Sequence, residues 1–513
     1  MAKRHQPTAT TTTTCNLNAF CCLLFSFCFF TSLPFLYIAY FSYPCDLQNL
    51  ILPTEEEGTP IHWSGHLPSH APAWNHLPFA ANPPRKRLNI ALFVKKWPRP
   101  DRAGGLERHA LTLHLALAKR GHVTHVFTVA SDSSPAKPPH PNIHLHFSDP
   151  TPSGSVNQAA TWRDFQAHNS IQAFDVVHTE SVALVHHRAS NLTNVAASWH
   201  GIAYETAHSD IVQDLLRAPG EPRSPELQVR LEERAFKIIQ EVKFFQSYAH
   251  HVATSDHVGD VLKRIYMLPE ERVHVILNGV NEDVFKHDCS RGRAFRREHG
   301  VPESAGLVLG MSGRLVKDKG HPIMFQALKQ ILEENQAFRK TVFVLVAGNG
   351  PWGDRYKELG PNIRVLGPLE QTEIARFYNA LDIFVNPTLR AQGFDHTLLE
   401  AMLSGKPAMA TRFASITGSA IVSSEMGYTF SPTVTSLKEA LRGVFEDGKG
   451  VLRKKGEAAR ARALKLFTAA KMAAAYERLF LCIAKRRGGD EEDYCKYPLS
   501  YEHDLIFQKR TDI

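Results

Sequence analysis

The 513-residue sequence predicts an α/β protein built from parallel, doubly wound sheets. Short apolar segments recur along the chain, and helical patterns separate most of them. In the second half these segments are LVLGM, TVFVLVA, NIRVLG, DIFVN and KPAMAT. Repeated strand–turn–helix units predict a parallel sheet, and ligands bind such sheets beyond the carboxyl ends of the strands. We therefore expect a binding site in the turns after these segments.

The first half of the chain opens with the same kind of unit. The run LNIALFV predicts a strand from about Leu88 to Val94, and after a loop Gly104 and Gly105 open an amphipathic helix. A Gly-Gly turn lets the backbone approach a ligand closely. Long helices are expected from residue 222 onward, and the chain should pass to a second lobe near Asn278 and Gly279.

Two cations come after the apolar segment that ends at Met311. Gly313 breaks the strand, and Arg314 and Lys319 lead into an apolar-periodic helix. Arginine offers a planar bidentate fork and lysine a compact charge, which together suit a diphosphate. A solvated basic turn explains the same residues equally well, so this motif indicates a phosphate site only in combination with other motifs.

The segment AQGFDHTLLEAM supplies a second anion-binding feature. The turn at Gly393 and Phe394 precedes a helix that should start near Asp395 or His396. Exposed amides and the helix dipole favour an anion at such a start. Glu400, one turn further in, can accept both vicinal hydroxyls of a ribose. The alternative is an ordinary glutamate on a solvated helix face.

These motifs together resemble the GT4 family of retaining glycosyltransferases, which has the GT-B fold. The resemblance rests on GRLVKDKG, AGNGP, LGPLEQTEIARFYNALDIFVNPT and QGFDHTLLEAMLSGKPAMAT, with weaker similarity in GGLERHALTLHLALAKRGHVTHVFT, FDVVHTES and SWHGIAYE. It implies two Rossmann-like domains facing across a cleft. It also implies transfer of a sugar from a nucleotide-diphosphate donor, a UDP-sugar first, to a hydroxyl acceptor with retention of configuration.

The resemblance assigns roles to individual residues. It implies that Arg314 and Lys319 bind the donor diphosphate, that Glu400 binds the ribose, and that the backbone of residues 364–367 binds the base. His200, which ends the run NVAASWH, is expected beside the transferred sugar, although a satisfied structural imidazole is the alternative. The other expected donor-binding residues are Gly104, Gly105, Gly313, Leu366, Gly393, Phe394, Thr397 and Leu398.

Two positions depart from the family pattern. Gln392 stands where the family usually has a glutamate that contacts the sugar, and Asp395 stands where a glycine is common. An amide still accepts a sugar hydroxyl, but a charge-assisted hydrogen bond is stronger by about 1 to 2 kcal/mol. A carboxylate beside a diphosphate is repulsive unless it points away. These departures motivate one alternative, a catalytically silent nucleotide-sugar-binding relative. A second alternative keeps the fold but changes the chemistry, as in a nucleotide-sugar epimerase of GT-B architecture.

Composition and charge exclude other classes of protein. With 43% hydrophobic and 21% charged residues, the chain is not disordered. The formal net charge of +8 could attract nucleic acid, but no basic helix with interleaved aromatic residues accompanies it. We expect no cofactor and no metal, because the sequence has no Asp-x-Asp pair and its histidines show no zinc spacing that includes cysteines.

The amino end predicts a membrane anchor. Residues 19–43 carry no charge over 25 positions, enough to span a bilayer, and the preceding cations favour a cytosolic amino end. We therefore expect a single-pass type II, plant-like Golgi protein with a lumenal enzyme. A cleaved signal peptide and a plastid transit peptide are the alternatives. Asn191 opens a sequon, and free thiols are favoured over a Cys482–Cys495 pair.

The expected organisation combines these segments. In chain order it is a cytosolic tail at 1–18, the span at 19–43, a Pro-rich extended stem at 44–87, an acceptor-side domain at 88–289, a donor domain at 290–465, a helix at 466–487 that packs back on the first domain, and a loosely ordered tail at 488–513.

Overall fold

The computed structural model describes residues 63–80, 82–98, 104–129, 138–217, 220, 222–391, 395–485 and 492–499. The predicted span at 19–43 lies outside these residues, as do Gln392, Gly393 and Phe394. Among the residues described, no helix has both the length and the apolar character needed to cross a membrane.

A seven-stranded parallel sheet forms the centre of the amino-terminal lobe. A short strand, β1 (Gly65–His66), precedes it and lies outside it. The elements of the lobe are, in chain order, β2 (Asn89–Phe93), α1 (Gly105–Lys119), β3 (Val123–Val129), β4 (Ile143–Ser148), α2 (Gln158–Ile171), β5 (Val176–Glu180), α3 (His186–Ala189), β6 (Val195–Trp199), α4 (Ala203–Leu215), α5 (Pro225–Phe244), β7 (His250–Ala253), α6 (Asp256–Arg264) and β8 (Val273–Val275). Across the sheet the order is β4-β3-β2-β5-β6-β7-β8.

The burial of the strands agrees with their positions in the sheet. Every residue of β5 and β6 is buried, as expected for central strands of a parallel sheet covered by helices on both faces. Several helices begin at a residue whose side chain caps the first turn. Asn157 caps α2 and Ser255 caps α6, each accepting a backbone N–H three residues further on.

A six-stranded parallel sheet forms the carboxyl-terminal lobe. Its elements are, in chain order, α7 (Cys289–Glu298), β9 (Leu307–Ser312), α8 (His321–Glu334), α9 (Gln336–Thr341), β10 (Val342–Ala347), α10 (Trp352–Lys357), β11 (Ile363–Gly367), α11 (Gln371–Ala380), β12 (Ile383–Asn386), α12 (His396–Leu403), β13 (Ala408–Thr411), α13 (Ala414–Thr417), β14 (Gly427–Phe430) and α14 (Val434–Leu466). The order across the sheet is β11-β10-β9-β12-β13-β14. The predicted α/β class with two parallel Rossmann-like sheets is confirmed.

The helix after α14 returns to the amino-terminal lobe. This helix, α15 (Ala469–Lys485), packs along α1. Tyr476 and Ser198 share a hydrogen bond of 2.7 Å between their hydroxyl groups. Glu477 accepts hydrogen bonds from Arg120 and from His122, with Nε2 of His122 2.6 Å from Oε1. These buried polar contacts fix the direction in which the helix lies.

The segment before β2 is folded, in contrast to the extended stem predicted for residues 44–87. From residue 63 onward it makes two 3-10 turns, Leu67–Ser69 and Trp74–His76, and buries Trp74 and Leu77 completely. These side chains share a core cluster with α15. The prediction failed because single buried side chains hold the segment against the core, and they require no helical or strand-like spacing of apolar residues.

Asn75 connects this segment to both crossings between the lobes. Its Nδ2 donates to the carbonyl oxygens of Leu277 and Leu466, and its Oδ1 accepts from Leu277 N at 2.7 Å. Leu277 lies just beyond the last strand of the amino-terminal sheet, and Leu466 ends α14. A single buried amide therefore satisfies the backbone at both places where the chain passes from one lobe to the other.

The tail after α15 also differs from the prediction. Cys482 and Cys495 form a disulfide, so these two thiols are not free. Strand β15 (Lys496–Tyr497) pairs antiparallel with β1, and Tyr497 is fully buried. The polar composition of the tail concealed this contact, because three buried apolar residues, Tyr494, Tyr497 and Leu499, and one cross-link hold the short segment.

Candidate functional site

The carboxyl ends of both sheets converge on one region between the lobes. The amino end of α1 and the residue after β6 come from one lobe, and the turn after β9 and the start of α12 come from the other. Arg108 Nη1 lies 3.0 Å from Glu400 Oε1 across this boundary. A Cβ added at Gly105 would lie only 3.5 Å from His396 Nδ1. The two lobes therefore meet at the residues that the sequence predicted for donor binding.

Lys319 and Asp395 form a close ion pair within this region. Lys319 ends the 3-10 turn Lys317–Lys319, and its Nζ donates to Asp395 Oδ2 at 2.5 Å. Gly320 comes next with a φ of +77°, and a Cβ there would collide with the carbonyl of Pro387. That close approach brings the basic turn against the loop after β12.

Asp395 also caps helix α12. Its Oδ1 accepts from the Thr397 hydroxyl at 3.0 Å and from the Thr397 amide at 3.4 Å. Burial raises the pKa of the Asp395 carboxyl, but the charge of Lys319 and the hydrogen bonds outweigh it and hold the pKa well below its usual range. An ionised carboxylate thus sits at the helix start where the sequence led us to expect a donor phosphate.

Glu400 is buried and bonded on both oxygens. Arg108 donates to Oε1, and the Tyr378 hydroxyl donates to Oε2 at 2.8 Å. Burial raises the pKa of the Glu400 carboxyl, and Arg108 opposes that shift. The predicted ribose-binding carboxylate is therefore held by one residue of its own lobe and one residue of the opposite lobe.

His200 belongs to a buried carboxylate–imidazole cluster. Glu180 Oε2 lies 2.6 Å from His200 Nε2, and Glu180 Oε1 lies 2.9 Å from His109 Nδ1. Burial raises the pKa of Glu180, but the two imidazoles lower it by more, so the pKa lies well below the usual range. The carboxylate accepts an N–H from each imidazole and so fixes the orientation of both rings.

His396 follows Asp395 at the start of α12 and lies near His109, His200 and Arg108 of the opposite lobe. Burial lowers the pKa of its imidazole to about 3, and the nearby His109, His200 and Arg108 add to that shift. Its Nε2 is buried and has no hydrogen-bond partner in the described part of the chain. A neutral, unsatisfied imidazole therefore sits at the boundary between the lobes.

The remaining predicted residues differ in how exposed they are. Arg314 is exposed over 66% of its side chain, and its Nη2 lies 4.0 Å from Asp318 Oδ2. Gly313 precedes it with a φ of +116°. Gly104 is the exposed residue before α1, Leu366 is half-buried in β11, and Leu398 is buried inside α12. The structure thus brings Lys319, Thr397, Glu400, Gly105 and His200 together, and it leaves Arg314 at the rim.

Sequence reasoning missed Arg108, His109 and Glu180. Arg108 and His109 lie one helical turn after the predicted Gly-Gly start of α1. Glu180 is the last residue of β5, so the rule that ligands bind beyond strand carboxyl ends could have found it. The pairing of Arg108 with Glu400 joins residues 292 positions apart. No local pattern signals a contact of that kind.

A further buried carboxyl, outside the candidate donor site, lies on α4 of the amino-terminal lobe. Glu205 is 1% exposed, and neither of its oxygens makes a hydrogen bond among the described residues. His257 Nε2 approaches Oε1 to 3.4 Å. Burial raises the pKa of this carboxyl to about 8, and Arg390 opposes the shift only in part. Glu205 is therefore protonated at neutral pH.

Two groups of side chains within the described ranges could hold a metal ion. One is the cluster of His109, Glu180 and His200, in which Glu180 already bonds both imidazoles. The other consists of His125 on β3, His146 on the edge strand β4 and His168 on α2. Of these two groups, the second is separate from the residues predicted to bind the donor.

Two protein families match the chain over its two lobes. Residues 103–284 match Glycosyltransferase Family 4, and residues 306–447 match Glycosyl transferases group 1. A D-inositol 3-phosphate glycosyltransferase of Xylanimonas cellulosilytica is 26% identical over 364 residues, covering 65% of this chain and 81% of the relative. An uncharacterised glycosyltransferase of Methanocaldococcus jannaschii is 25% identical, covering 63% and 80%.

Solved structures of similar fold are known. Sucrose-phosphate synthase from Thermosynechococcus elongatus superposes with a TM-score of 0.60 at 19% identity, covering 77% of this chain and 100% of that one. Anabaena HepE in complex with UDP and glucose gives a TM-score of 0.56 at 18% identity, covering 77% and 100%. With both lobes matched in sequence and in fold, the chain belongs to the GT4 glycosyltransferases of GT-B architecture.

Proposed function

We propose that this glycosyltransferase moves a sugar from a nucleotide-diphosphate donor, a UDP-sugar first, to a hydroxyl acceptor with retention of configuration. The observation that carries the proposal is the convergence of Lys319, the start of α12 and Glu400 on His200 and Arg108 of the opposite lobe. Cations, helix amides and a buried carboxylate are what a diphosphate and a ribose require. The UDP bound by the related Anabaena protein supports the choice of nucleotide.

The proposed roles are assigned from the contacts. Lys319 and the amides at the start of α12 stabilise the charge that develops on the departing diphosphate, and Arg314 joins them from the rim when donor is bound. Glu400 accepts the ribose hydroxyls once Arg108 releases one of its oxygens. His200, held by Glu180, faces the sugar. The resemblance gives Gln392, which lies outside the described residues, a contact with the same sugar. In this scheme the cationic side chains and the helix supply the electrostatic stabilisation, and no metal or cofactor is required.

A second candidate is a silent nucleotide-sugar-binding protein. Two contacts favour it, because each occupies a side chain that the donor would need. Asp395 already neutralises Lys319, and Arg108 already donates to Glu400. Such a protein would bind donor without turnover. An epimerase would turn over but would keep the nucleotide attached to the sugar, so analysis of the products separates the three activities.

The test is release of nucleoside diphosphate by the full chain. We would screen UDP-, GDP- and ADP-sugars with acceptor mixtures and compare Lys319→Ala and Arg314→Ala with Lys317→Ala, an exposed lysine of the same turn. Loss of a charge-assisted contact worth about 1.5–3 kcal/mol predicts roughly 10- to 150-fold slower release in Lys319→Ala. Equal rates in Lys319→Ala and Lys317→Ala would refute the assigned role. Donor binding without release in any mixture would favour the silent protein.

We also propose that residues 19–43 anchor the enzyme as a type II membrane protein with a lumenal catalytic part, as in Golgi transferases. The sequence supports the span, and the Cys482–Cys495 disulfide supports an oxidising compartment. Asn191 is exposed, as a glycosylated asparagine must be. In sealed microsomes we expect the catalytic part to resist added protease until detergent is present. Digestion before detergent would place it in the cytosol.

A further inference from the structure

Four histidines gather on one face at the edge of the amino-terminal sheet. In β4, His144 and His146 are two residues apart, so both point to the same face. His125 of β3 lies directly opposite His144 in the sheet register. Ser148, on the same face of β4, hydrogen-bonds Thr161 of α2 at 2.7 Å. Helix α2 therefore covers this face, and it contributes His168.

Three of these imidazoles come close enough to share an ion. His125 Nδ1 and His146 Nε2 are 3.0 Å apart. The ring of His168 lies 4.2 Å from the ring of His146, and one ligand nitrogen of each of the three residues lies within 4.8 Å of the others. The ring of His144 lies 4.8 Å from that of His125 and stands at the exposed edge of the group.

We propose that His125, His146 and His168 form a binding site for a divalent transition-metal ion, Zn²⁺ in particular. Imidazole nitrogen is a preferred ligand of Zn²⁺, at about 2.0–2.1 Å in tetrahedral geometry. Two nitrogens bound in that way stand roughly 3.3 Å apart, so the pair at 3.0 Å needs to open only slightly. The third nitrogen, on His168, lies within 4.8 Å of the other two and must move closer to share the same ion.

The protonation state suits the same ligands. A hydrogen bond between two imidazole nitrogens needs a lone pair on one of them, so the contact between His125 and His146 requires at least one neutral ring. Neutral imidazoles carry the lone pair that a metal needs. In the hydrogen bond between His125 and His146 one ring nitrogen holds the proton, and that proton moves to the other nitrogen of the same ring when the ion binds. The protein then releases no proton.

The surroundings resemble the support that metal ligands usually have. Asp164, one turn before His168 on α2, places Oδ1 3.6 Å from His168 Nε2. That distance is longer than a hydrogen bond, but it is near the position from which a carboxylate can orient a ligating imidazole. The Phe127 ring stacks on His146 at 4.9 Å and forms an apolar floor. All three ligands stand on a sheet or a helix rather than on loops. The site lies apart from the proposed donor site, so its test does not depend on transferase activity.

The experiment is a calorimetric titration of the chelator-treated full chain with Zn²⁺. We expect one ion per chain at micromolar or tighter affinity, and an affinity at least tenfold weaker in His146→Ala and in His125→Ala. The matched control is His187→Ala, an exposed histidine on α3. His168→Gln removes a half-exposed ligand without disturbing the sheet, so it serves if the strand variants misfold.

A second readout needs no variant. Co²⁺ bound by three imidazoles should give the visible absorption of a low-coordinate site, displaced by Zn²⁺ and not by Ca²⁺, which prefers oxygen ligands. Absence of a stoichiometric site would overturn the proposal. Undiminished binding in folded His125→Ala, His146→Ala and His168→Gln proteins would overturn it as well, by assigning the ion to other histidines.

Discussion

Replacing Asp395 with asparagine should make the protein bind nucleoside diphosphate more tightly and unfold more easily. In the wild-type protein the carboxylate of Asp395 accepts a hydrogen bond from Lys319 Nζ at 2.5 Å and another from the Thr397 amide at the start of α12. A donor phosphate would use the same two partners. In the wild-type protein it must first displace this internal anion, and it then remains beside it. Asparagine keeps the shape of the side chain and removes the charge.

The size of the effect is set by the ion pair. Two unit charges 2.5 Å apart attract by roughly 6–7 kcal/mol at an effective dielectric constant of about 20 and by roughly 1.7 kcal/mol in water. Each side chain is 22% exposed, so desolvation and solvent screening reduce the net value. We expect about 1–3 kcal/mol, which is about 5- to 150-fold tighter binding of UDP. The free protein should lose a similar amount of stability.

The assay is calorimetric titration with UDP, together with thermal unfolding of the same samples. The matched control is Asp354→Asn, which removes one carboxylate of the same lobe that is 92% exposed and pairs with Lys357. Opposite changes in affinity and stability in Asp395→Asn alone are the expected result. Weaker UDP binding in that variant would refute the reasoning, because it would mean that Asp395 positions Lys319 for the donor rather than competing with it.

Three further changes test other contacts. The carboxyl of Glu205 has a pKa of about 8 in the folded protein and about 4.5 in the unfolded protein, so the stability of the fold falls as the pH rises from about 4.5 to 8. Glutamine cannot ionise, so Glu205→Gln should avoid this loss. In denaturant unfolding its free energy of unfolding relative to wild type should be up to roughly 5 kcal/mol higher at pH 8.5 than at pH 4.5. Arg108→Gln should free one oxygen of Glu400 and lower the KM for donor about 3- to 30-fold, since the ribose no longer competes with a cation. Asn75→Ala leaves buried backbone groups unpaired and should cost about 2–4 kcal/mol of unfolding free energy, read from thermal denaturation.

Each of these outcomes can fail in its own way. Parallel pH profiles of Glu205→Gln and wild type would show that the carboxyl is ionised in the folded protein. A raised KM in Arg108→Gln would assign the arginine to the donor itself. An unchanged midpoint in Asn75→Ala would mean that the crossings between the lobes are held without that amide.

The sequence predicted those features whose signal is local. Parallel strands were predicted from buried apolar runs, and the basic turn at Lys319 and the helix carrying Glu400 were predicted from residues adjacent in the chain. The pairing of Arg108 with Glu400 and the bridge from Glu180 to two histidines depend on how distant elements dock, which no local spacing encodes. Trp74 was missed for a different reason, because a single large buried side chain needs no periodic neighbours.

The antiparallel ladder between β1 and β15 has a consequence for synthesis of the protein. Gly65 pairs with Tyr497, so the segment that carries β1 cannot complete its contacts until β15 has been translated. At about 5–20 residues per second that interval lasts roughly 20–90 s. For most of it, until α15 has been made, Trp74 and Leu77 lack the helix that covers them. Newly made chains should therefore bind chaperones through this segment, and release should await the carboxyl-terminal residues.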